Sequence, residues 1–246
     1  MTDKNLCDKM IIMKDLSIIP FLPFFIISLI HLISSCTSKT RLYNITKIFL
    51  MPSLVFAILF SLRNDAKQDT VIYLTAALLA GTAGDIFLIR PVTKKKFIKG
   101  VFSFFAGHIF YLLILIPRSK FWMLPAWIVV LLVTVYLLIL FGLYSFLKKP
   151  KGLRGFAAVV YAFMLLLINF VCITAVFTWI FYNNGQDSSI IPLVVTAAGN
   201  IVFLLSDSIL AFTMFKKDFK YSKFFVQLTY IAAQFLLVTG ILTGIS

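Results

Sequence analysis

Eight long apolar runs that show no strand-like alternation, separated by short polar loops, leave this chain few ways to fold. They span Leu16–Ser35, Ile48–Leu62, Val71–Ile89, Val101–Ile116, Phe121–Phe146, Gly155–Tyr182, Ile190–Phe215 and Phe224–Thr243. A hydrocarbon layer ~30 Å thick takes about 20 residues of helix to cross. Inside it, only helices and closed barrels satisfy their own backbone polar groups. Without the period-two pattern of a barrel strand, each run predicts a membrane helix. The loops are too short to hold a soluble domain. The expected architecture is all-α: one polytopic transmembrane bundle over residues 16–246, behind a polar tail at 1–15 that alternates Asp and Lys. The second run is the shortest, and Pro52 near its start is expected in a first helical turn, where its missing N–H is not needed.

Charge decides how the bundle sits. The net charge is +14, only 13% of residues are charged, and all nine acids are aspartates. So basic a chain invites a nucleic-acid reading, but its Lys and Arg lie between apolar runs, where they face anionic lipid headgroups instead. Membrane lipids are the expected partners, and nucleic acid is not. Sixteen of the 23 basic residues fall in the first, third, fifth and seventh loops, so those loops belong in the cytosol and both termini outside it. A bacterial inner membrane and a eukaryotic endoplasmic reticulum fit equally. Ile33-Ser34-Ser35-Cys36 follows its apolar run as a lipobox would, but cleavage there would export a basic loop against this charge pattern. Cys7, Cys36 and Cys172 have neither zinc-site nor disulfide-framework spacing.

Within the runs, two residues are out of place. An ionised carboxylate near the middle of the hydrocarbon costs about 3 kcal/mol or more, so Asp85 and Asp207 each call for a cavity or a partner. A shift of 122 positions lays Asp85 on Asp207, Phe97 on Phe219 and His108 on Tyr230, with lysines in both joining loops, which is a weak internal repeat. Both aspartates are expected at similar depth beneath the cytosolic leaflet, Asp85 about 7 Å from the end of its helix.

Two carboxylates in a low-dielectric site need not ionise together, so one can hold a proton while the other carries charge. That is the equipment of a general acid and a general base acting on one bond, as in acetal-like cleavages. The plainer alternative is a pair of aspartates satisfied by hydroxyls for helix packing. His108 and Tyr111 share a helix face at i, i+3, and Tyr230 and Gln234 share one at i, i+4. Ser206 and Ser208 flank Asp207. Lys47 either neutralises an aspartate or a phosphate, or snorkels to the interface. The chain has no G-x-S-x-G elbow, H-E-x-x-H pair or Walker loop. Asp85, His108 and Asp207 are metal-ligand types without metal-ligand spacing, so neither a metal nor another cofactor is expected.

These motifs resemble the YhhN family, whose animal members include lysoplasmalogenases. The matching elements are Lys47 with Met51-Pro52, Gly84-Asp85 with Leu88, and Phe97, Gly100 and Gly107-His108 with Tyr111. They continue with Val159 and Tyr161, then Gly199, Phe203 and Ser206-Asp207-Ser208, and end with Tyr230 and Gln234. The likeness covers most of the chain from the second run onward, and the first run and Phe121–Phe146 add little to it. It implies a membrane hydrolase that cleaves the vinyl ether of lysoplasmalogens, with choline or ethanolamine headgroups, to a fatty aldehyde and a glycerophospho-alcohol. Asp85 and Asp207 would be its acid and base, in either order. Lys47, His108, Tyr111, Tyr161, Ser206, Tyr230 and Gln234 would hold the lysophospholipid and water. A different class of function, a proton-coupled lipid or small-molecule transporter, would use the same two aspartates as a relay.

Overall fold

Backbone groups with no water to pair with close their hydrogen bonds inside each apolar run, and the computed structural model has a helix at every one. It describes residues 18–37, 40–61, 68–89, 92–146, 152–183 and 189–244; the polar tail expected at 1–15 lies outside them. The eight spans are α1 (Leu22–Cys36, entered by a 3-10 turn at Ile19–Phe21), α2 (Thr40–Ser61), α3 (Gln68–Phe87) and α4 (Lys94–Ser119), then α5 (Ala126–Phe146), α6 (Gly152–Tyr182), α7 (Ile191–Phe215) and α8 (Ser222–Thr243). Among the described residues there is no strand.

Helix contacts close a cycle of seven. α1 packs on α2, α2 on α3, α3 on α4, α4 on α6, α6 on α7, α7 on α8, and α8 returns to α1. Successive spans alternate in direction, so α4 and α6 are parallel neighbours, and the chain between them has to cross back elsewhere. That return is α5, which lies outside the cycle against α6 and is almost wholly exposed. Phe21, Phe24 and Phe25 of the N-terminal hairpin pack around Phe235, which fastens α1 to α8.

The tightest pairs are α3 with α4 and α7 with α8, the two stretches related by the weak repeat. In lipid, where burying apolar surface drives little, helices associate through close backbone approach at small residues. A Cβ on Gly199 would stand 2.8 Å from the Leu237 backbone nitrogen, and one on Gly240 would stand 2.7 Å from that of Thr196. Backbone cannot step aside as a side chain can. Gly199→Ala and Gly240→Ala are each expected to cost about 1–3 kcal/mol, read as a lower melting temperature of the detergent-solubilised protein. Gly142→Ala on α5, whose new methyl meets nothing within 4 Å, is expected to leave it unchanged. Equal melting of all three proteins would refute a glycine-dependent contact.

The second span differs from its expected form. α2 starts at Thr40 rather than Ile48, which places Pro52 in the helix interior and not in its first turn. The cause is the direction in which the polar residues face: Thr46 and Lys47 are buried toward the bundle, so a stretch that hydropathy reads as loop is the inward-facing start of a helix. α4 likewise begins early, at Lys94, where the Thr93 hydroxyl caps it by accepting from the Lys96 backbone at 3.3 Å.

Candidate active site

Because successive spans alternate in direction, the ends of α1, α3, α5 and α7 and the starts of α2, α4, α6 and α8 lie together at one end of the bundle, the lysine-rich end, with Lys94, Lys95, Lys96, Lys216, Lys217 and Lys220. A cleft opens there, with about 790 Å³ of empty space counting its mouth. Four helices supply its polar wall. α2 gives Tyr43 and Lys47, α3 gives Asp85, α7 gives Ser206 and Asp207, and α8 gives Gln227 and Tyr230, so both suspect carboxylates face one space. Phe104 of α4 closes its apolar side.

The two carboxylates have unlike partners. Asp85, 3% exposed in the last turn of α3, has the Lys47 ammonium 3.3 Å from one oxygen and receives the Tyr230 hydroxyl at 2.9 Å on the other. Of the roles weighed for Lys47, pairing with an aspartate is the one the structure shows. Desolvating two such ions costs several kcal/mol each, which their mutual attraction and the phenol's hydrogen bond offset. Asp207 is more open and receives the Tyr161 hydroxyl at 2.5 Å. Asp207 lies eight residues from the end of α7 at Phe215, whereas Asp85 lies two from the end of α3 at Phe87. They share a cleft all the same, so α7 carries on past the level at which α3 stops.

Other residues of the set lie around this pair. Tyr161, reached from α6, touches Asp207 directly. Ser206 lines the cleft while its hydroxyl donates to the Val226 carbonyl at 3.0 Å, tying α7 to α8. His108 does not reach the cleft wall. Its Nδ1 donates to the Phe104 carbonyl at 2.6 Å, and its ring stands edge-on to Tyr161 and Phe203 at 5.4 and 5.1 Å, so it buttresses the phenol that holds Asp207. Tyr111 and Gln234 bond each other at 2.8 Å and do not line the cleft. Ser208 turns back to the Leu204 carbonyl.

Sequence reasoning passed over five polar lining residues: Tyr43, Thr213, Ser222, Lys223 and Gln227. Gln227 donates to the Tyr43 hydroxyl at 3.1 Å, and the Tyr43 ring stacks on buried His31 at 4.6 Å. A signal did exist, because Gln227, Tyr230 and Gln234 recur at i, i+3 and i+7 on one stripe of α8, and Tyr43 and Lys47 at i, i+4 on α2. Among the described residues no three His, Cys, Asp or Glu side chains cluster as metal ligands would.

The arrangement sets a carboxylate held by an ammonium beside a second one held by a phenol, in a cleft with Lys223 at its exposed edge and Phe104 on its apolar side. It can deliver a proton at one carboxylate and stabilise positive charge at the other. The sequence model of the YhhN family matches residues 42–241. Comparison with curated proteins and with solved structures gives no match.

Proposed function

The chain belongs to the YhhN family, and from that membership and its two unlike carboxylates we propose that it hydrolyses the vinyl ether bond of lysoplasmalogens. The observation that carries this reading is the Lys47–Asp85 ion pair, because it gives the two aspartates different work. Asp85, held by an ammonium, is the carboxylate; Asp207, held by the Tyr161 hydroxyl, is the acid.

Asp207 gives its proton to the β-carbon of the vinyl ether, leaving an oxocarbenium ion at the carbon that bears oxygen. The Asp85 carboxylate stabilises that cation and takes a proton from the water that adds to it, which forms a hemiacetal. On collapse, Asp85 returns its proton to the departing glyceryl oxygen. Asp207 takes the hemiacetal hydroxyl proton as the aldehyde forms. One water is consumed and both side chains are restored, with no covalent enzyme intermediate. Lys47 is engaged with Asp85, so the exposed Lys223 at the mouth is the ammonium placed for the substrate phosphate. In the membrane the lysine-rich end faces the cytosol and both termini face away from it.

The test is aldehyde release from lysoplasmenylcholine and lysoplasmenylethanolamine by purified protein in detergent, with no ion gradient present. Hydrolysis predicts aldehyde in stoichiometry with the glycerophospho-alcohol. Gradient-driven uptake into proteoliposomes without aldehyde would replace this reading by transport.

A further inference from the structure

Asp207 lines a second space as well. Behind it an apolar groove of about 740 Å³, counting its open side, runs between α4 and α7 over a floor of α6. The groove and the polar cleft share one partition, made by Leu88, Phe104, Asp207, Leu210 and Met214. The two spaces are opposite in character. One is walled by Lys47, Asp85, Gln227 and Tyr230; the other by Phe97, Val101, Leu165 and Phe215. A molecule spanning the partition therefore has a polar end and a hydrocarbon end, and Asp207 stands at the junction.

The groove owes its width to three small side chains. Ala158 and Ala162, one helical turn apart on α6, and Ala211 on α7 line it where larger residues would fill it. Leu143 of the outlying α5 forms its rim, which leaves it open to lipid beside that helix. We propose that Ala158, Ala162 and Ala211 seat the hydrocarbon chain of a single-chain amphipath and set how long a chain the site accepts. The inference rests on the hydrolase reading for which bond breaks, and on the shared partition alone for what binds.

Binding can be read without turnover. A lysophosphatidylcholine with a 16-carbon ester chain ending in a diazirine is photolysed with the protein in phosphatidylcholine nanodiscs, and the adducts are mapped by mass spectrometry. Adducts are expected on Leu143, 158–165 and 204–215, falling at least tenfold in Ala162→Phe, while an eight-carbon probe loses far less. Ala211→Leu, a smaller intrusion from the opposite wall, is expected to give the same ordering and guards against a folding defect at Ala162. Adducts spread over the outer faces of α1 and α5, or Ala162→Phe and Ala211→Leu both labelling like wild type, would overturn the proposal. So would equal labelling by a diacyl phosphatidylcholine carrying the same diazirine, the mark of ordinary bilayer lipid. Groove labelling without aldehyde from any vinyl ether keeps this inference and removes the hydrolase; aldehyde with labelling elsewhere does the reverse.

Discussion

Replacing Asp207 with asparagine is expected to lower the kcat for aldehyde release by about 10²–10⁴-fold, the usual contribution of a positioned general acid, and to leave the protein folded. Asparagine keeps the size of the side chain and an oxygen to accept the Tyr161 hydroxyl, which lies 2.5 Å from the carboxylate in the native protein. It cannot supply a proton to carbon. With the headgroup held at the cleft mouth and the chain in the groove, as proposed, KM is expected to change little. A loss confined to kcat identifies a group that acts in the transition state. A raised KM with unchanged kcat would assign Asp207 to binding instead. Wild-type rates in both Asp207→Asn and Asp85→Asn would end the two-carboxylate mechanism.

The second large effect is on stability. Lys47→Met leaves Asp85 as a buried carboxylate stripped of its ammonium, a change that costs about 3–5 kcal/mol when one partner of a buried pair is removed. The Tyr230 hydrogen bond remains but carries no charge. The double variant Lys47→Met/Asp85→Asn removes the orphaned charge and is expected to regain most of the loss. That non-additivity measures the coupling directly. Lys223→Met, at an exposed position on the same cleft, is the comparison and should melt with the wild type. If Lys47→Met also melts with the wild type, the 3.3 Å contact contributes nothing to folding. Thermal unfolding of these proteins and of Asp85→Asn alone, five in all, in one detergent decides it.

The carboxylates were legible in the sequence because a charge inside an apolar run is conspicuous; of the two phenols that hold them, Tyr230 was legible from its i, i+4 face with Gln234, and Tyr161 only through its place in a family motif. The pairing was not. Tyr230 and Asp85 are 145 residues apart, and the weak repeat suggests no bond between them; it arises because α8 closes the helix cycle near α3's end of the site. Lys47 was legible as a residue but not as a position. Its turn of α2 is polar because it faces the site, and average hydropathy treats inward-facing polarity and loop polarity alike. Gln227 and Tyr43 were lost in the same way, as ordinary polar residues near helix starts. The eight crossings were clear from length, whereas the order in which they touch depends on glycine contacts that no run length reveals.

The position of α5 makes the molecule divisible. Cut within that helix, the chain yields a first piece with Lys47 and Asp85 and a second with Tyr161, Asp207 and Tyr230, so neither half contains the whole site. The seam between the halves runs along α4 against α6 and along α1 and α2 against α8, and α5 is only the tether across it. Such a protein is put together like two partners on one chain, and its two-carboxylate site belongs to the seam.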